Sequence, residues 1–278
     1  MTDRPIPLAG VIGAPISHSL SPKLHGHWLK RYGINGYYIP IELAHDSFEK
    51  GLRSLPGLGF RGVNITLPFK EKVLTLADVI TDRAALIGAA NTVSFRKDGR
   101  IQADNTDGYG FIANVQQNAP SWQAGAGPAM VLGAGGASRA VISALITEGT
   151  PEIWLTNRTR NRAEMLREHF GARVRVLDWN TAANEVGGVA TLVNTTSLGM
   201  TGQPPLAFAL DRIKTKTLVT DIVYNPLQTD LLAQAAAKGC PTVDGLGMLL
   251  HQAVPGFEAW FRKRPEVDED LRAAVLAK

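Results

Sequence analysis

An apolar run at 129–132 stops on Gly133-Ala134-Gly135-Gly136 and gives way to a helical stretch over 138–148. This strand, turn and helix constrain the chain more than any other segment. Gly133 permits a tight turn, and Gly135 lets the backbone approach a pyrophosphate. The helix start then offers unpaired N–H groups to the phosphates. Ala134, Gly136 and Ala137 complete the candidate cofactor turn. Its third spacing position is Ser138, where Gly or Ala is usual, and taken alone the segment is equally a plain turn. Around it, apolar runs at 153–156, 174–177, 192–193 and 218–223 alternate with helical stretches at 162–170, 230–238 and 248–262. Such alternation predicts a parallel sheet.

The first third alternates too. Apolar runs at 8–12, 37–43 and 62–67 are separated by helical stretches at 23–31 and 48–55. Pro68 suits the first turn of a helix, which the pattern extends to Asp78. Runs at 91–95 and 101–103 flank Lys97-Asp98-Gly99, a hairpin turn. A helix over 108–118 precedes 119–128, which is rich in Pro, Gly and Ala and reads as a linker. With 278 residues the chain can build two cores. The expected class is α/β with two domains. An N-terminal α/β domain with a mostly parallel sheet covers 1–107, joined by a C-terminal helix over 247–278. A Rossmann-like domain covers 108–246.

Net charge is +4, and the basic residues are scattered, without the stripe of a nucleic-acid binder. The densest group has a specific reading. Where NAD-binding folds carry Asp or Glu about 20 residues after the glycines, this chain has Asn157-Arg158-Thr159-Arg160-Asn161-Arg162. Planar guanidiniums suit a 2′-phosphate, and each charge-assisted bond contributes about 1.5–3 kcal/mol. The expected cofactor is therefore NADP. The alternative, a solvated basic helix start, opposes the helix dipole. The one cysteine, Cys240, excludes an intrachain disulfide and fits a reducing cytoplasm. Residues 1–7 carry Asp3 and Arg4 and lack the apolar region of a secretory leader, and no uncharged run is long enough to span a bilayer. The histidines, His18, His25, His27 and His251 among them, show no ligand spacing with carboxylates or Cys240, so no metal is expected.

Several segments resemble one family in order along nearly the whole chain. They are 13–22 (Gly-Ala-Pro-Ile-Ser-His-Ser-Leu-Ser-Pro), 64–70 (Asn-Ile-Thr-Leu-Pro-Phe-Lys), 88–92 (Gly-Ala-Ala-Asn-Thr), 104–108 (Asp-Asn-Thr-Asp-Gly), 133–139, 157–159 and 244–249. The chain resembles the shikimate dehydrogenase family. That resemblance implies reversible, NADPH-dependent reduction of 3-dehydroshikimate to shikimate, in aromatic amino-acid (chorismate) biosynthesis. It implies Lys70 and Asp107 as the catalytic pair at the reacting hydroxyl, and leaves open which is the formal acid. It implies Ser19 and Ser21 on the substrate carboxylate, Thr66, Asn91 and Gln252 on the ring hydroxyls, and Tyr224 nearby. Thr195, within 194–197, and Met248 would line the nicotinamide region, with Gly245 close by. Plainer readings stand beside these. Ser19 and Ser21, which point the same way in an extended segment, also read as a turn or cap before Pro22. Lys70-Glu71-Lys72 reads as a solvated helix face, Asp107 as an N-cap, and Tyr224 as packing.

Gly26 departs from the family, which usually has Asn after the His matching His25. An altered helix packing is the expected result. Ser19-x-Ser21 resembles the shikimate-preferring pattern more than the quinate-preferring one. A broader quinate/shikimate dehydrogenase and a catalytically silent NADP-binding regulator are the competing readings. Expected partners are the small-molecule substrate alone, with no nucleic acid or membrane, in a cytoplasmic monomer or homodimer. The active site is expected between the domains, with closure on binding suggested by the linker at 119–128.

Overall fold

The structure is a computed structural model that describes residues 6–277. Residues 1–5, on which most of the leader argument falls, lie outside the described residues. The chain divides into two compact units: Met1–Thr106 with Leu250–Lys278, and Asp107–Leu249.

The first unit is built on β1 (Leu8–Gly13), α1 (Ser21–Arg31), β2 (Tyr37–Glu42), α2 (Phe48–Ser54), β3 (Phe60–Ile65), β4 (Val79–Ile80), α3 (Asp82–Ile87), β5 (Thr92–Phe95) and β6 (Ile101–Asp104). The sheet order is β2-β1-β3-β5-β6-β4. β1 runs parallel to β2 and β3, and β4 to β6, while β5 is antiparallel to both β3 and β6. The reversal at β5–β6 follows from the hairpin at 96–100, where Gly99 takes φ +83°. Ile12, Phe48, Val63, Ile65, Phe69 and Val93 form the core beside the sheet. Phe48 and Phe69 stack at 4.2 Å. α1 starts with Pro22 in its first turn, where a missing N–H costs nothing, and ends with Lys30 and Arg31 on the negative end of its dipole.

The chain returns to this unit late. α8 (Leu246–Phe261) begins in the second unit, and its Trp260 indole donates to the Val93 carbonyl at 3.1 Å. α9 (Glu269–Leu276) is capped by Asp268, which accepts from the Leu271 N–H and pairs with Arg31 at 2.6 Å.

Two expectations fail here. No helix runs from Pro68 to Asp78; there are turns and a short 3₁₀ segment, Lys72–Thr75. In an α-helix the Lys70 carbonyl would accept from the Leu74 N–H. It accepts instead from Ala90 at 2.8 Å, and Leu74 bonds back to Glu71. Gly26 does not alter packing either. It is exposed, and a Cβ there would meet nothing within 4 Å.

The second unit holds α4 (Asp107–Asn118), β7 (Ala129–Leu132), α5 (Gly136–Thr147), β8 (Ile153–Thr156), α6 (Arg160–Phe170), β9 (Val174–Leu177), β10 (Thr191–Asn194), β11 (Leu218–Asp221), α7 (Asp230–Ala237) and β12 (Thr242–Val243). Every strand pairing is parallel, in the order β12-β11-β10-β7-β8-β9. This is the doubly wound order, reversing between β7 and β10. β7, β10 and β11 are buried along their whole length, as strands covered on both faces must be.

The presumed linker at 119–128 is a packed part of this unit. Ala119 and Ala124 are buried, and the Trp122 indole donates to Thr191 Oγ1 at 2.9 Å. Its Gly and Pro content concealed three apolar anchors that a solvated linker lacks. Among the described residues no helix is long and apolar enough to cross a membrane, and no group of three or more His, Cys, Asp or Glu is placed to hold a metal ion.

Candidate functional site

The glycine turn joins β7 to α5. Gly133 takes φ +107°, and a Cβ there would lie 2.8 Å from Thr196 Cγ2 and 2.9 Å from Thr195 Oγ1. Glycine is required on both counts. Ala134 and Ala137 are half-buried, and Gly135 and Gly136 are exposed. Ser138 is fully buried. Its Oγ accepts from the Gly135 N–H at 3.0 Å and lies 2.7 Å from Thr195 Oγ1, whose own proton goes to the Leu132 carbonyl at 2.7 Å. The hydroxyl of Ser138 therefore donates to Thr195. Where Gly or Ala is usual, Ser138 braces the turn against the end of β10.

Asn157 braces it from the other side. Its Oδ1 accepts from the Ala134 N–H at 3.1 Å, and its Nδ2 donates to the Thr159 carbonyl at 2.8 Å. Arg158, Thr159, Arg160 and Arg162 are exposed at the start of α6. Arg160 is paired with Glu164 at 3.0 Å, one turn on. Arg158 and Arg162 have no ion-pair partner among the described residues. The first turn of α6 holds no acid, so two guanidiniums stand uncompensated at the positive end of a helix dipole.

A second group lies at the ends of β10 and β11. Asp221 is buried. Its Oδ1 accepts from Asn194 Nδ2 at 3.0 Å and the Val223 N–H at 2.9 Å, and its Oδ2 from the Thr229 hydroxyl at 2.8 Å. Burial raises its pKa, and these bonds offset the rise only in part. Asn194 Oδ1 accepts from both the N–H and the hydroxyl of Thr196. Asp221 thus holds the loop carrying Thr195 and the loop carrying Tyr224 together. Tyr224 is half-buried, and burial pushes its phenol upward. At Gly245 a Cβ would strike the Ile222 carbonyl at 2.3 Å; Met248 is buried three residues on, in α8. Asp107, half-buried, is the first residue of α4.

In the first unit, Ser19 and Ser21 do not lie on an extended segment. A turn, with Ser19 N–H on the Ile16 carbonyl, leads directly into α1, and Ser19 Oγ accepts from the Ser21 N–H at 3.3 Å. Thr66 is half-buried just past β3, and its N–H donates to the Ile12 carbonyl. Lys70 is half-buried in the turn beyond Pro68. Asn91 and Gln252 are in direct contact, Nδ2 to Oε1, at 3.1 Å.

Behind Asn91 runs a buried polar network that sequence reasoning missed. Tyr38 Oη donates to Asn64 Oδ1 at 2.7 Å, and Asn64 Nδ2 donates to the Asn91 carbonyl at 3.0 Å and to Thr92 Oγ1 at 3.3 Å. Thr92 Oγ1 donates to Asn91 Oδ1 at 2.9 Å, which also accepts from the Thr106 N–H at 2.9 Å. Below it, His25 stacks on Tyr38 at 3.8 Å, fully buried. A cluster of Asn and Thr near strand ends is the one available signal, and it is also the composition of ordinary turns.

Comparison with known proteins adds to this geometry. The model of the shikimate dehydrogenase substrate binding domain matches residues 11–93, and that of shikimate / quinate 5-dehydrogenase matches residues 115–200. The chain is 62% identical to a shikimate dehydrogenase (NADP(+)) of Jannaschia sp., over 100% of each chain. Among solved structures it is similar to a shikimate 5-dehydrogenase of Thermus thermophilus in complex with NADP(H) and shikimate, at 35% identity, 98% of each chain and a TM-score of 0.86. It is also similar to a quinate dehydrogenase of Corynebacterium glutamicum in complex with NAD, at 31% identity, 98% of this chain, 99% of that one and a TM-score of 0.90.

Proposed function

The chain belongs to the shikimate / quinate 5-dehydrogenase family, and from that premise we propose that it is an NADP-dependent shikimate dehydrogenase. It interconverts 3-dehydroshikimate and shikimate, as an oxidoreductase acting on a CH–OH group. The observation that carries the cofactor choice is the pair Arg158 and Arg162, exposed and, among the described residues, without carboxylate partners, at the strand end after the glycine turn and the start of α6. An acid there would select a ribose hydroxyl; guanidiniums select its phosphate. The N-terminus of α5, with exposed Gly135 and Gly136, fits the pyrophosphate.

NADP held at this turn would supply or take the hydride at the ring carbon. The remaining tasks fall to side chains. Lys70 stabilises negative charge on the carbonyl oxygen and serves its proton, and Asp107 bonds the substrate hydroxyl. Ser19 and Ser21 donate to the substrate carboxylate. Their turn before α1 suits this, because the adjoining helix start also favours an anion. Thr66, Asn91 and Gln252 hold the ring hydroxyls, with Tyr224 contributing. We assign substrate binding to 1–107 with 247–278, cofactor binding to 108–246, and a cytoplasmic monomer or homodimer as the working form.

The test is absorbance at the NADPH band with purified protein. Shikimate and NADP⁺ should give steady turnover, and replacing NADP⁺ by NAD⁺ or shikimate by quinate should lower kcat/KM at least tenfold. Equal rates on quinate would favour the broader dehydrogenase. Cofactor binding without turnover would favour a regulator.

A further inference from the structure

Thr106 is fully buried, 0% exposed, so it meets ligands only through other residues. Its polar atoms tie together three segments of the first unit. The N–H donates to Asn91 Oδ1 at 2.9 Å, and the hydroxyl donates to the Gln252 main-chain carbonyl at 2.8 Å. Thr106 Oγ1 also lies 3.1 Å from both Asn91 Oδ1 and Thr92 Oγ1.

These contacts settle how two amides are turned. A backbone N–H only donates, so the Asn91 atom facing Thr106 is its oxygen. The Asn91 atom facing Gln252 is then its nitrogen, which only donates, so Gln252 turns its oxygen toward Asn91. The Gln252 end not turned to Asn91 is therefore the NH₂. Resting on the functional reading above, we infer that Thr106 is a positioning residue for substrate recognition. It locks Asn91 and, through its hydroxyl, the turn of α8 that carries Gln252, so that the ring hydroxyls meet amide N–H donors in a fixed register. Tyr38, Asn64 and Thr92 complete the lock, each donating to the next.

The chemistry sets the expected size. Thr106→Val keeps the shape and the backbone N–H and removes only the hydroxyl, and with it the side-chain tie to the Gln252 carbonyl. KM for shikimate should rise about tenfold, equivalent to about 1.4 kcal/mol, with kcat changed less than about threefold and NADP⁺ affinity by calorimetry unchanged. Thr106→Ser, which restores the hydroxyl, should recover the KM to within about twofold. Thr106→Ala paired with Thr106→Ser serves the same comparison where the valine variant does not fold. The KM penalties of Thr106→Val and Asn91→Ala should combine to less than their product, because both act on one contact. An unchanged KM in Thr106→Val, a serine variant as impaired as the valine one, or penalties that multiply fully would each overturn the inference. Wild-type protein that fails to oxidise shikimate would overturn the functional reading as well, so the two failures are told apart.

Discussion

Replacing His25 by Phe should flatten the acid sensitivity of folding, by an amount the structure sets. The His25 ring is fully buried, stacked on Tyr38 at 3.8 Å, with Trp28, Phe257 and Trp260 around it. Neither ring nitrogen has a hydrogen-bond partner of normal geometry among the described residues. Burial lowers the pKa from 6.5 to about 3, and the neighbouring Asn64 amide recovers little of the drop. The unfolded chain binds a proton near pH 6.5, and the folded chain does not. Stability is therefore whole above pH 6.5 and falls with pH until about pH 3. The loss is about 1.4 kcal/mol per pH unit, so roughly 2 kcal/mol at pH 5. His25→Phe keeps an aromatic ring against Tyr38 and removes the titration. Urea unfolding of both proteins at pH 7.5 and pH 5.0 should show the wild type losing about 2 kcal/mol more than the variant over that interval. Equal losses would show that His25 takes up its proton without unfolding, and the reasoning from burial would be wrong.

Lys70→Ala should lower kcat by about 10²–10⁴ with little change in KM, read by steady-state absorbance; an unchanged kcat removes Lys70 from the chemistry. Replacing Arg158 and Arg162 by Gln should narrow the preference for NADP⁺ over NAD⁺ by about tenfold or more in kcat/KM, because two uncompensated guanidiniums are lost. A preference that stays the same would return those arginines to being a solvated helix start. For Asp221, burial raises the pKa, so ionisation works against folding as pH rises past the unfolded value near 4. Asp221→Asn can keep its contacts because the Thr229 hydroxyl can accept as well as donate. Its melting temperature relative to wild type should rise between pH 4 and pH 7.5, and a constant difference would contradict the raised pKa.

The second unit was legible because its signals are local. Short strands with apolar centres, followed by turns and helices, have one common solution, and the doubly wound order is that solution. Where local pattern misled, a long-range contact had taken over. The Lys70 carbonyl bonds Ala90, twenty positions away, and so ends the expected helix after Pro68. Trp122 reaches Thr191 and turns the expected linker into core. β4 and β12 went unread, and the helix expected over 247–278 is two, α8 and α9, for the same reason: two strands of two residues and a short terminal helix exist only by docking on elements already formed. In the candidate site the motif residues were readable, but their supports were not. Ser138 looked like a flaw in the glycine motif and proves to be its brace, a role that only Thr195, far along the chain, makes visible.

Those supports explain why the chain keeps so many polar groups buried in one place. A buried network that is fully satisfied holds one arrangement, because every alternative strands a donor or an acceptor at a cost of about 1–3 kcal/mol each. From Tyr38 through Asn64 and Thr92 to Asn91, the donors all run one way, and the Thr106 N–H fixes the last link. Reversing Asn64 would set its oxygen against the Asn91 carbonyl, and reversing Asn91 would set its nitrogen against the Thr106 N–H. His25 stacks on the first donor of that series. A proton on His25 would add charge beside Tyr38 and compete for Asn64 Oδ1, the atom on which the Tyr38 bond depends. The acid sensitivity of the fold and the orientation of Asn91 therefore share a single buried element. Because the folded chain keeps His25 neutral down to about pH 3, the orientation of Asn91 should hold through mild acid, with the same profile of KM for shikimate in wild type and His25→Phe between pH 7 and pH 5. A KM for shikimate that climbs in the wild type but not in His25→Phe over that interval would show a proton entering the folded network and would refute the reasoning.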